Sequence, residues 1–272
     1  MRGGFKVEED SSFIDVDCMK RHQFQSGELT LSYLDTECEG NILIALHALW
    51  MNAATYSSLA AALAPDWRVI ALDQRGHGYS DHAKTYTRED YIHDLLALFT
   101  HLDIPSAVLL GNSLGGVNAY QFAARFPERA CALIIEDIGA EVSADTSFVL
   151  AWSGFFTSRE DLANKVGPRF LPYLKDSFRH TSEGWKLAFE PEEMLVSQNA
   201  LNGNHWVDWL ATNCPALLIR GRDSQITTRA HIEEMVERRP NSRLATLDGG
   251  HVVHLENPSD FRNTVQEFLN GL

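Results

Sequence analysis

The sequence predicts an α/β fold: a doubly wound, mostly parallel sheet with an inserted helical lid. Two observations carry this. Short apolar runs such as Ile42–Leu46, Val69–Leu72 and Ala107–Leu110 recur along the chain with helical stretches between them. Runs that are apolar on both faces suit parallel strands covered by helices on each side, and their alternation with helices implies a doubly wound sheet. The second observation is a block, from about residue 140 to 213, where this rhythm stops and aromatic residues crowd in.

Taken in order, Leu29–Leu34 alternates as a strand does, with Ser26-Gly27-Glu28 before it as a hairpin turn. Ile42–Leu46 and Val69–Leu72 are the next strands, with a helix from Thr55 to Leu63 between them. A second helix spans Thr87–Leu102, opened by Thr87-Arg88-Glu89-Asp90 as a capping box with Asp in the usual Glu position. Ala107–Leu110 is a strand, followed by a helix from Gly115 to Arg125 that Pro127 stops. Leu133–Ile135, Leu217–Ile219 and the weaker Leu244–Leu247 complete the strands. A helix over His231–Arg238 ends before Pro240, and the last begins at Asn257-Pro258, an N-cap followed by proline, and runs to Leu269.

The domain division follows: residues 1–139 and 214–272 form the core and residues 140–213 a helical lid. Four of the six tryptophans lie in this block, among them Trp152, Trp206 and Trp209. Most of these aromatics are expected to pack the lid onto itself and the sheet. Trp50, Trp152, Trp206 and Trp209 are the candidates to line a substrate pocket.

A net charge of −14 argues against nucleic acid or an anionic membrane as partner, since both require clustered Lys and Arg. The four cysteines are scattered with no C-x-x-C, as in a reducing compartment. Met1–Asp10 is charged and has no apolar segment of the secretory kind, and no apolar stretch reaches bilayer length. The expected localisation is cytoplasmic.

The chemistry centres on Gly111-Asn112-Ser113-Leu114-Gly115, directly behind the strand Ala107–Leu110 and ahead of a helix. A serine on so sharp a turn projects its hydroxyl at the carboxyl edge of the sheet, with the Leu114 amide facing the place where an oxyanion would form. The flanking glycines are required because a Cβ there would strike the neighbouring strand or helix. Serine needs a base to take its proton and a third group to orient that base. His251, behind Gly249-Gly250 on the loop after the last strand, is the candidate base; His254 is its competitor and reads as structural.

Four motifs in chain order now resemble those of the α/β-hydrolase superfamily, over about Leu29 to Leu269. They are His47-Ala48-Leu49-Trp50, Asp73-Gln74-Arg75-Gly76-His77-Gly78-Tyr79-Ser80, the serine turn, and Gly250-His251 with Glu256-Asn257-Pro258. The resemblance implies that His77 is structural and that the Leu49 amide is the second oxyanion donor beside Leu114. Two departures stand out. Ala48 sits where relatives carry glycine, which is tolerable only where the backbone does not need a positive φ. The usual slot for the acid after the lid holds Ser224, with Asp223 one residue early. Some relatives instead keep the acid at the end of the strand that follows the serine's helix, where this chain has Glu136-Asp137. Asp137 is favoured, Asp223 second and Glu136 third; a cap at the strand end is the alternative role for Asp137.

The expected activity is that of a cofactor-independent serine hydrolase, with no metal, acting on an ester-like bond of a small, mostly apolar acyl substrate. A serine nucleophile argues against dehalogenase and epoxide hydrolase relatives, which need a carboxylate. Thioesterase, lactonase, C–C bond hydrolase and cofactor-free haloperoxidase or perhydrolase would use the same triad. A small-molecule binding or signalling protein with a vestigial triad is the rival from another class.

Overall fold

Each apolar run becomes a strand of one eight-stranded sheet in the computed structural model, which describes residues 18–272. Met1–Asp10, read above for a secretion signal, lies outside the described residues. The described residues open with β1 (Lys20–Ser26) and β2 (Leu29–Asp35), an antiparallel hairpin turned by Gly27 at φ +60°. Then come β3 (Asn41–Leu46), α1 (Ser57–Leu63) and β4 (Trp67–Asp73). Next are α2 (Arg88–His101), β5 (Ala107–Asn112), α3 (Leu114–Arg125) and β6 (Ala130–Glu136).

The stretch between β6 and the next sheet strand is mixed, not purely helical. It holds β7 (Glu141–Val142), α4 (Arg159–Val166), α5 (Leu171–Leu174), the hairpin β8 (Phe178–Thr181) and β9 (Gly184–Leu187), α6 (Pro191–Leu201), β10 (Gly203–Asn204) and α7 (Trp206–Trp209). The short strands β8 and β9 carry no apolar run, which is why helical periodicity was the only signal the sequence offered there. The core resumes with β11 (Ala216–Gly221), α8 (Arg229–Arg238), β12 (Ser242–Leu247), α9 (Val253–Glu256) and α10 (Pro258–Leu269).

Sheet order is β1-β2-β4-β3-β5-β6-β11-β12, with parallel pairing from β4 through β12 and the first two strands antiparallel. One face is covered by α2, α3 and α8 through Leu98, Phe99, Val117, Phe122 and Met235. The other is covered by α1 and α10 through Leu59, Leu63, Phe261 and Phe268. Leu31–Asp35 is buried on both faces, not alternately, because β2 lies inside the sheet between β1 and β4.

Local signals explain the boundaries. Thr87 caps α2 by accepting from the Asp90 amide, while the Asp90 carboxylate accepts from the Thr87 amide at 2.8 Å. Asn257 caps α10, with Pro258 at the first helical position. Order reverses between β3 and β5, so the loops after those strands meet at the carboxyl edge of the sheet, the usual place for a ligand site in a doubly wound fold. Among the described residues no helix is long and apolar enough to cross a membrane.

Candidate active site

Ser113 sits between β5 and α3 at φ +52°, ψ −115°. Such a conformation costs a non-glycine residue about 1–3 kcal/mol and persists only where the surroundings impose it. They do so here. A Cβ on Gly111 would meet the Gly115 carbonyl, and one on Gly115 would meet the Leu46 carbonyl at the end of β3. Both obstacles are backbone, so neither can step aside. The Ser113 amide donates to the Glu136 carbonyl at 3.0 Å, and the Asn112 side-chain amide donates to the His251 carbonyl at 3.0 Å. The serine turn and the histidine loop are thereby tied together.

His251 donates from Nδ1 to Asp137 Oδ2 at 2.7 Å. That bond selects the Nδ1–H tautomer of the neutral ring and leaves the lone pair on Nε2. Asp137 is 1% exposed, and a buried carboxylate requires donors. Its Oδ2 also accepts from Ser224 Oγ at 2.5 Å, and Oδ1 accepts from Thr227 Oγ1 at 2.9 Å. Its own amide donates to the Ile219 carbonyl at 2.8 Å, with φ at +48°. Ser224, in the slot where the resemblance would place the acid, serves as a donor to the carboxylate one strand away. Arg220 is buried and holds that loop by donating to the carbonyls of Arg222, Ser224 and Thr227.

The other two acid candidates lie elsewhere. Asp223 is exposed at the cavity mouth, and its carboxylate has no hydrogen-bond partner among the described residues. Glu136 is fully buried and turned to His254, accepting from its amide at 2.9 Å and from its Nδ1 at 2.7 Å. The His254 ring stacks on Tyr56, with centroids 4.6 Å apart. His254 is therefore built into the core beside the His251 loop.

The loop after β3 faces the serine turn. His47 is buried, donates from Nδ1 to the Ala48 carbonyl and accepts at Nε2 from the Gln74 amide at 3.0 Å. Burial pushes its pKa down to about 4, so both nitrogens keep these roles. His77 is likewise buried, with its pKa pushed down to about 3 by burial and by the neighbouring His47. The positive φ falls on Trp50 (+73°), not on Ala48, so a methyl replaces glycine at position 48 without backbone strain. Among the described residues no backbone carbonyl accepts from the Leu49 amide. Leu114 opens α3, so its amide has no acceptor within the helix.

Ser113 and His251 both line a cavity of about 400 Å³. Its floor is the core, through Leu49, Trp50 and Val252; its roof is the inserted stretch, through Phe148, Phe170, Leu174 and Leu201. Of the four tryptophans named from sequence, Trp50 lines it. Trp152 stands one layer behind, edge-on to Trp50 at 5.6 Å and to Phe170 at 5.2 Å. Trp206 and Trp209 are not part of the lining. Trp206 donates to Glu141 and lies under Arg238, while Trp209 is fully buried against Tyr120 and donates to the Met235 carbonyl. Phe148 and Phe170 carried no sequence signal that set them apart from the other aromatics of the block.

A carboxylate-bound imidazole and a strained serine thus line one cavity at the carboxyl edge of a doubly wound sheet. Residues 43–264 match the alpha/beta hydrolase family, and the chain belongs to it. The chain is 24% identical over 260 residues to 2-(acetamidomethylene)succinate hydrolase of Mesorhizobium japonicum, covering 90% of this chain and 93% of that one. It is 27% identical over 265 residues to an sn-1-specific diacylglycerol lipase of Mus musculus, covering 89% and 85%. The crystal structure of E-2-(acetamidomethylene)succinate hydrolase superposes with a TM-score of 0.83 at 22% identity, over 93% of this chain and 99% of that one. Relatives of this kind are named as esterases, lipases and other hydrolases, and the chain is a hydrolase.

Proposed function

We propose that the protein is a cofactor-independent serine hydrolase that cleaves an ester-like bond of a small, mostly apolar acyl substrate. The observation that carries this reading is the 2.7 Å bond from His251 Nδ1 to the buried Asp137, on a loop tied to the Ser113 turn. Ser113 Oγ attacks the acyl carbonyl as His251 Nε2 takes its proton. Asp137 stabilises the imidazolium that forms. The amides of Leu49 and Leu114 receive the oxyanion. Collapse of the tetrahedral intermediate expels the alkoxide, which takes the proton from His251 and leaves as the alcohol. Water then hydrolyses the acyl-enzyme by the same steps in reverse order.

Residues 140–213 act as the lid over this site. A cavity of about 400 Å³ with Leu49, Phe148, Phe170 and Leu201 in its wall favours a short or medium apolar acyl group. The test is labelling by a fluorophosphonate probe, followed by a panel of p-nitrophenyl esters of graded length with one thioester and one lactone. Rapid labelling and ester turnover are expected. No labelling and no turnover would instead favour a binding protein with a vestigial triad.

A further inference from the structure

We infer that Ser177, from the inserted segment, is a positioning residue for the oxyanion site; this rests on the hydrolase reading above. Trp50 follows the Leu49 amide and holds φ +73°, a costly conformation for a bulky residue. Something must hold it there. The core side of the loop is fixed by His47, whose carbonyl accepts from Gln74 Nε2 at 2.7 Å. The far side is fixed by the insertion. Ser177 Oγ donates to the Trp50 carbonyl at 3.1 Å and accepts from Asn52 Nδ2 at 3.2 Å.

Ser177 is 1% exposed, and its own carbonyl accepts from the Ala188 amide at 2.7 Å, just beyond β9. The hydroxyl is thus a rigid donor with its second bond satisfied. The indole of Trp50 is gripped by the same segment, edge-on to Phe148 at 5.7 Å and Phe170 at 5.8 Å. The carbonyl and the side chain of the strained residue are therefore held by residues 140–213, the Met51 amide closes the turn on the Ala48 carbonyl at 3.2 Å, and the Leu49 amide lies between the Ser177 anchor and the His47 anchor. An oxyanion donor acts through preorganisation, so loosening one anchor should weaken transition-state binding more than ground-state binding.

The test compares the full chain with Ser177→Ala, Ser177→Thr and Asn52→Asp on one p-nitrophenyl ester. Ser177→Ala is expected to lower kcat roughly tenfold, a fraction of the 10²–10³-fold typical of losing an oxyanion donor outright. KM should stay within about twofold, because substrate binding itself is not the term removed. Affinity for a trifluoromethyl ketone, which forms a tetrahedral adduct bearing the oxyanion, should fall by the same factor as kcat. Ser177→Thr keeps the hydroxyl and should restore both values. Asn52→Asp keeps an acceptor for the Ala54 amide, yet turns the Ser177 hydroxyl from the Trp50 carbonyl to the new carboxylate. It should behave as Ser177→Ala does, which preserves the test where the alanine variant fails to fold. Unchanged kcat, a loss confined to KM, or a threonine variant no better than alanine would overturn the inference while leaving the hydrolase reading in place. A wild type inactive on every ester would overturn both.

Discussion

Replacing Asp137 by asparagine, beside the same change at Asp223, separates the first two of the three acid candidates most sharply. Asp137 Oδ2 receives the His251 Nδ1–H at 2.7 Å, and this bond sets the tautomer that leaves Nε2 basic. Asparagine can point its own N–H at Nδ1, which favours the opposite tautomer and removes the charge that stabilises the imidazolium. In the best-studied triad the same change costs about 10⁴ in kcat, or about 5 kcal/mol of transition-state stabilisation. The fold should survive, because Ser224 and Thr227 hydroxyls donate to the carboxylate but can equally accept from an amide. Asp223→Asn, at an exposed carboxylate outside this network, should leave kcat within about threefold, as surface substitutions usually do. Both variants are assayed on one ester at pH 8, with melting temperatures as the control. A crippled Asp223→Asn beside a nearly normal Asp137→Asn would refute the reasoning and return the acid to its post-lid slot.

The remaining expectations concern the nucleophile, the cavity wall and pH. Ser113→Ala should abolish fluorophosphonate labelling and lower kcat by about 10⁴–10⁶ with an unchanged melting temperature; substantial residual turnover would sink the assignment. Phe170→Ala should change the kcat/KM ratio between short and long acyl esters, since Phe170 lines the cavity. Trp209→Ala should lower stability by about 3–5 kcal/mol and leave that ratio alone, and the reverse pattern would count against the assigned wall. His47 and His77 have folded pKa values of about 4 and about 3, below the unfolded value. Their contribution to stability is therefore complete above about pH 6.5 and is lost as pH falls toward the folded values, about 2 kcal/mol each by pH 5. Urea midpoints at pH 7 and pH 5 should show a smaller acid loss for His77→Gln than for wild type, and equal losses would refute this.

Residues with local meaning were legible in the sequence. The apolar runs became strands because burial on two faces leaves few alternatives, and the Thr87–Asp90 box and Asn257-Pro258 set their helices as written. The serine turn could be read because a glycine on either side is a steric demand of one short segment. What escaped depends on contacts distant along the chain. Ser224 and Thr227 converge on Asp137 from 87 and 90 residues away, and no spacing rule announces that. Trp206 and Trp209 share the aromatic character of Phe148 and Phe170, yet only the folded path of the insertion decides which rings reach the cavity. The β8–β9 hairpin lacks the apolar run that would have exposed it.

Asp137 is also the residue at which the chain leaves the sheet for the insertion. Its amide is bonded to the Ile219 carbonyl, and its carboxylate to Ser224, Thr227 and His251, all from the core. Those bonds anchor Asp137 independently of residues 140–213. The loop bearing Trp50 is held from both sides, by Gln74 on the His47 carbonyl and by Ser177 and the aromatic rings of residues 140–213. A displacement of residues 140–213 would therefore reach the Trp50 turn before it reached the His251–Asp137 bond.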